Sequence, residues 1–383
     1  MSEELSPPGS IAAGSETVPI WIWRFVRGLP GTLGLILFGV ILGFLLSEAA
    51  AIVALPAPLA ERWPPSMVVP DPDLGWRMMP HDIHYTYTYR VEVNEDGLRN
   101  PLVGPKQPQE FRVLVLGDSE VYGQGLPEAD LFTTRLQTAL NTSSGRDTSR
   151  TFNVINSGVR AYSTDQEVAF LKKTGLAMQP DLVLLCVYVN DLELVAIKQL
   201  YDHATSVNNG APYLFDLRMP SGVAARLLWE GVQLLRRSRV LMYTHDVIFA
   251  YYASDTYEMR LIAGVVDDDI RQRVAVFKHQ LEAFRDLLAA HRTAGTIVII
   301  PAPEQVRNRA RPARYQDLVT SAATEVGLPV IDLLPAFRAR FHDSLPVLPY
   351  DPHYDASANA LIAETLMGHL APQVASEKRH VGS

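Results

Sequence analysis

Arg112-Val-Leu-Val-Leu116 runs directly into Gly117-Asp118-Ser119, and this junction decides how the rest of the chain is read. An apolar run without polar alternation is the pattern of a strand buried on both faces. Similar short runs recur at residues 153–155, 182–187, 296–300 and 330–331. Helical repeats stand between and after them: Phe132, Leu136, Leu140; then Ile270, Val274, Phe277, Leu281, Phe284, Leu288, with Gly295 as its terminator; then Tyr315, Val319, Ala322, Val326, closed by Gly327; finally Ala358, Ile362, Leu366, Leu370. Spacings of three and four lay one apolar stripe on a sheet. Strand and helix in alternation predict an α/β fold, a flavodoxin-like open parallel sheet of order 2-1-3-4-5 with helices on both faces. Residues 192–266 break the alternation and read as an inserted helical cap.

In such a sheet the reactive crevice lies outside the carboxyl ends of the strands, beside the first one. Gly117-Asp118-Ser119 follows strand one, Asn156-Ser157-Gly158 strand two, and Tyr188-Val189-Asn190-Asp191 strand three. A hydroxyl, a glycine N–H and a carboxamide are therefore expected at one spot: a nucleophile, Ser119, with oxyanion donors from Gly158, Asn190 and the N–H of Ser119 itself, where the next helix opens. A serine needs a base, and the base needs an orienting acid. Asp351-Pro352-His353 supplies both just before the final helix, so Asp351 and His353 complete the expected catalytic set.

These blocks resemble the SGNH (GDSL-like) hydrolase family over most of residues 109–371. The resemblance implies Ser119 as nucleophile, Gly158 and Asn190 in the oxyanion hole, Asp351 and His353 as acid and base, and no cofactor or metal. The stretches Gly158-Val-Arg-Ala-Tyr-Ser-Thr-Asp-Gln-Glu167 and Val93-Asn-Glu-Asp-Gly-Leu-Arg99 resemble a bacterial, membrane-anchored branch. Tyr188 stands where the third block often has glycine, and Glu120 adds a carboxylate after the nucleophile. The activity implied is a serine esterase acting on an ester, such as an acetyl or other short acyl ester of a cell-envelope glycan. The alternative is an O-acyltransferase modifying a cell-surface polysaccharide, which with a single span would need a multi-pass membrane partner to supply the acyl group.

The 383 residues are 48% hydrophobic and 20% charged, which excludes a disordered chain, and 34 Lys+Arg against 42 Asp+Glu leave a net charge of -8, which argues against nucleic acid as a partner. Residues 28–47 carry no charge and at about 1.5 Å per residue match a hydrocarbon core of roughly 30 Å. One membrane span is expected. Arg24, Arg27, Trp21 and Trp23 precede it and Glu48, Glu61 and Trp63 follow, which predicts an N-terminus in the cytoplasm and everything beyond about residue 56 outside it. A cleaved signal with Ala49 to Ala51 as its small-residue site is the competing reading, weakened by the long leader before the apolar run. The expected organisation is a tail over 1–27, an anchor over 28–55, a Pro-rich linker with a small β segment over 56–108, the SGNH hydrolase domain over 109–375 and a tail over 376–383. Residues 85–93 alternate aromatic or Val with Thr, Arg or Glu and read as one half-buried strand closed by an Asp96-Gly97 turn. The lone cysteine, Cys186, reads as a buried apolar residue, His81 and His84 as structural, and Asp332 as a loop-fixing carboxylate.

Overall fold

A computed structural model describes residues 20–66, 68–143, 150–194, 196–208, 223–341 and 346–377. The chain divides into two units, Met1–Leu55 and Pro56–Ser383. In the first, helix α1 (Ile20–Ala54) contains the segment Gly31–Ala54, which is long and apolar enough to cross a membrane. Leu35, Phe38 and Val40 are exposed.

The second unit is built on five parallel strands, β5 (Glu110–Leu116), β6 (Thr151–Asn156), β7 (Leu182–Val187), β8 (Ala294–Ile299) and β9 (Val330–Asp332), in the order β6-β5-β7-β8-β9. This is the 2-1-3-4-5 order expected, with β5 and β7 registered Val113↔Leu182 through Leu116↔Leu185. Alternate residues of each strand serve opposite layers. Leu114, Leu116, Val183, Leu185, Ile297 and Ile299 face the core under α4 (Thr164–Lys173), α9 (Asp268–His291) and α11 (Arg314–Val326). Val113, Val115, Leu184, Cys186 and Val298 face α3 (Phe132–Ser143), α12 (Leu334–Arg340) and α13 (Ala356–Glu377). The strands read as unbroken apolar runs because both faces are covered, each buried Leu or Val side chain contributing roughly 1.5–3 kcal/mol. Between β7 and α9 lie α5 (Ile197–Asn208), α6 (Val223–Arg236), α7 (Arg239–Ala253) and α8 (Tyr257–Ile262). Residues 195 and 209–222 of the expected cap, and 1–19 and 378–383 of the expected tails, lie outside the described residues.

Three expectations are corrected. Residues 85–93 are not one strand: β3 (Ile83–Thr86) pairs antiparallel with β4 (Tyr89–Glu92), Thr86 opposite Tyr89, around a turn at Tyr87-Thr88. The reversal flips the phase of burial, so His84 and Thr86 are buried in one arm and Val91 and Val93 beside the other, while Tyr89 is exposed. Without Gly or Asn at the turn, the period-2 pattern ran straight through it; Tyr87 itself takes the left-handed conformation, φ 53°. The turn at Asp96-Gly97 stands as expected, with Gly97 at φ 80°. Residues 56–108 do not form a free linker, because Leu74, Met78, Val91, Val93 and Leu98 enter the same core as β5 and β7, and a second hairpin, β1 (Val68–Asp71) with β2 (Gly75–Met78), packs there too. Proline content signalled extension but not where the apolar residues between would be buried. Gly295 does not end α9. Arg292 does, at φ 53°, while Gly295 lies in β8, where a Cβ would stand 2.2 Å from Leu288 Cδ1. The glycine is there for helix-to-strand approach.

Candidate active site

β5 ends in a turn too tight for a side chain at Gly117, whose Cβ would meet Val121 Cγ2 at 2.1 Å, and the chain enters the one-turn helix α2 (Ser119–Tyr122) at once. Asp118 caps it, its Oδ1 accepting the Glu120 N–H at 2.8 Å. Ser119 is the first residue of α2, so its N–H has no partner within the helix. From the loop before α13, His353 brings Nε2 to 2.8 Å from Ser119 Oγ and Nδ1 to 2.5 Å from Asp351 Oδ1, which also accepts the His353 backbone N–H at 2.8 Å. The three side chains expected to act together, 234 positions apart in sequence for Ser119 and His353, form one hydrogen-bonded line.

Asn190 sits in the turn after β7. Asp191 fixes this turn, its Oδ2 accepting the Tyr188 N–H at 2.6 Å, and the Tyr257 hydroxyl of α8 donates to the Asn190 carbonyl at 2.8 Å. The Asn190 amide donates to Asp118 Oδ2 at 3.1 Å, beside Ser119. Gly158 is placed differently from expectation. Its N–H donates to Asn156 Oδ1 at 3.0 Å, and a Cβ would stand 2.2 Å from the Tyr122 nitrogen. Glycine is required there because the backbone of α2 lies against it, and its N–H is engaged. Ser119, Asn190, Tyr188, Arg160 and His353 line a cleft of about 480 Å³, closed on another side by Phe249 and Ala253 of α7 and by Met259 of α8. Ala161, also in its wall, holds φ 60°, a conformation few side chains adopt.

Three carboxyl groups crowd this one imidazole. Burial disfavours protonated His353, but its hydrogen bond to Asp351 and the charges of Asp351, Glu120 and Asp118 outweigh burial and raise it to about 9. Burial alone would raise Asp351; its bonds to His353 and Tyr87 reverse this and hold it at about 2. Glu120, buried beneath the site, is pushed up to about 8, and Asp118 is raised for the same reason. At neutral pH the resting His353–Asp351 pair is therefore an ion pair.

Sequence reasoning missed several supporting residues. Tyr87, at the unrecognised turn, donates its hydroxyl to Asp351 Oδ2; burial and the Asp351 charge push this phenol up, so it remains a donor. His84 has the structural place expected of it, joining Asp82 Oδ2 at 2.8 Å to the Tyr122 hydroxyl of α2 at 2.7 Å. Arg99 donates to the carbonyls of Tyr122, Gly123 and Leu126 at 3.0, 2.8 and 2.6 Å, satisfying groups that a short helix leaves open. Its only signal was its place in the quoted stretch ending at Arg99. Asp332 and Cys186 have no part in the cleft: the first accepts the Leu334 N–H at 2.9 Å and the second is buried in β7.

No family model matches the chain, and no curated protein does. Among solved structures it is similar to an acetyl xylan esterase (AlAXEase), at 14% identity over 68% of this chain and 99% of that one, TM-score 0.41. It is similar to a lipase/acylhydrolase from Enterococcus faecalis, at 14% identity over 69% and 96%, TM-score 0.40. It is also similar to the acetylxylan esterase Axe2 from Geobacillus stearothermophilus, at 11% identity over 67% and 92%, TM-score 0.39. Likeness at this level assigns neither activity nor substrate.

Proposed function

We propose that the protein is a serine esterase of the SGNH type, and the observation that carries this is the line Asp351–His353–Ser119 at 2.5 and 2.8 Å with the Asn190 amide beside the hydroxyl. His353 Nε2 takes the Oγ proton as Oγ bonds to the ester carbonyl carbon; the Ser119 N–H and the Asn190 amide receive the oxyanion. Gly158 joins them only by exchanging Asn156 Oδ1 for the oxyanion. His353 then gives the proton to the departing alcohol, and a water, deprotonated by the same imidazole, releases the acid. With His353 raised to about 9, only about 1% is neutral at pH 7, so turnover climbs with pH up to that value. The Arg24 and Arg27 flank supports an anchor with its N-terminus in the cytoplasm and the esterase unit outside, facing esters of the cell envelope.

The test uses the full chain in detergent with a short p-nitrophenyl ester, measuring alcohol and free acid while an oligosaccharide is titrated. Equal release, abolished in folded Ser119→Ala, is the expected result. Acyl groups missing from the acid and recovered on the sugar would replace the esterase by the transferase. Turnover that survives Ser119→Ala would remove the triad.

A further inference from the structure

Thirteen large apolar side chains between residues 223 and 253 are exposed, against five in all the other described residues of the Pro56–Ser383 unit. They belong to the consecutive helices α6 and α7, joined at residues 237–238. α6 is turned opposite to a helix that covers a soluble core, and α7 is exposed around most of its circumference. On α6 the inward positions are Trp229, Gln233 and Arg236, at spacings of four and three, whereas Leu227, Leu228, Leu234 and Leu235 point outward. On α7, Met242 is buried while Phe249 is 63% and Tyr252 76% exposed. A single exposed leucine needs no explanation; thirteen exposed aliphatic and aromatic groups on two consecutive helices do.

Two observations select what covers it. The first is charge. Besides the inward Arg236, residues 223–253 carry Arg226, Arg237 and Arg239 against Glu230 and Asp246, a positive balance within a chain of net charge -8. Basic residues bordering a face of Leu, Phe and Tyr fit an anionic lipid interface. The second is tether length. α6 is fastened to the start of its unit: the Glu61 N–H donates to Gln233 Oε1 at 2.8 Å, the Trp229 indole donates to the Glu61 carbonyl at 3.3 Å, and the rings of Trp63 and Trp229 stand 6.2 Å apart. Ala54, the last residue of α1, is seven positions before Glu61. Fully stretched, that connection spans at most about 25 Å.

We propose that the exposed apolar side chains of α6 and α7 seat in the headgroup and acyl boundary of the bilayer that holds α1. Phe249 and Ala253 also line the cleft, so docking holds the mouth of the cleft at the membrane surface. The proposal rests on α1 as a membrane span and is independent of the reaction catalysed.

The native cysteine is buried, which leaves introduced thiols as the sites of labelling. The full chain, carrying an environment-sensitive fluorophore at Leu227→Cys, Tyr251→Cys, Leu37→Cys in α1 or Arg285→Cys on α9, is reconstituted into phosphatidylcholine–phosphatidylglycerol vesicles containing lipid spin-labelled just below the headgroup. Positions 227 and 251 are expected to lose fluorescence roughly twofold relative to 285, the depth of an interfacial helix placing them within reach of the quencher. Quenching at 37 with none at 227 and 251 overturns the docking and leaves the anchor standing. Quenching nowhere overturns the docking together with the span it rests on. Protection of 227 and 251 from an aqueous quencher without lipid quenching, growing with the protein-to-lipid ratio, assigns the face to a second copy and equally overturns it.

Discussion

Tyr87→Phe removes one oxygen from the neighbourhood of the catalytic acid and leaves the ring that fills the turn. Asp351 is 11% exposed and has three donors: the Tyr87 hydroxyl on Oδ2, and the backbone N–H and Nδ1 of His353 on Oδ1 at 2.8 and 2.5 Å. A hydrogen bond to a charged group contributes about 1.5–3 kcal/mol, which at about 1.4 kcal/mol per decade bounds the loss in kcat/KM between roughly 10- and 150-fold. Two donors remain, so the loss belongs near the lower bound, about tenfold. A second effect separates positioning from mere support. Without the phenol, Asp351 is a less stabilised anion and rises from about 2, and its undivided charge raises His353 further above 7 than its present value of about 9. The ascending limb of kcat/KM against pH therefore moves to higher pH. Initial rates on p-nitrophenyl acetate across that limb, with thermal unfolding of the same samples, measure both. A folded variant with an unchanged limb and rate, or a limb moved to lower pH, would refute the reasoning.

Asn190→Ala should lower kcat by about 10²- to 10³-fold with little change in KM, because its amide would meet the oxyanion more closely than the ground-state carbonyl; a loss confined to KM would make Asn190 a substrate contact. Glu120→Gln tests burial. With the carboxyl raised from 4.5 to about 8, the folded state holds the proton more tightly than the unfolded one, so its contribution is full below pH 4.5 and is lost as pH rises through 8, by at most about 5 kcal/mol. Unfolding midpoints in detergent should thus fall with pH in the natural protein relative to Glu120→Gln, and parallel curves would show that Glu120 is ionised at neutrality. For topology, a reporter active only outside the cytoplasm should work when fused after residue 66 and fail when fused before residue 20; the reverse pattern would place the cleft inside.

Much of the scaffold could be read one residue at a time. Leu182–Val187 has no polar alternation because helices cover both faces of β7, and the repeat from Ile270 to Leu288 has helical spacing because one stripe of α9 lies on the sheet. Those are local patterns imposed by burial; they give the alternation of strand and helix, while the strand order and the approach of Ser119, Asn190 and His353 are set by the tertiary fold. The membrane-length apolar segment was equally plain, since length and absence of charge are properties of the chain itself. What remained hidden was the choice of partner. Tyr87 fits a strand by period, and only the fold reveals a reversal there that delivers its hydroxyl to a carboxylate 264 positions away. Gly158 was expected to offer its N–H to an oxyanion, yet that N–H donates to Asn156 Oδ1, and the backbone of α2 fills the space where a side chain would be. The outward turn of α6 was invisible for the same reason: periodicity shows that a helix has an apolar face, whereas which face meets protein is settled by hydrogen bonds from Glu61, far away in sequence and adjacent only after folding.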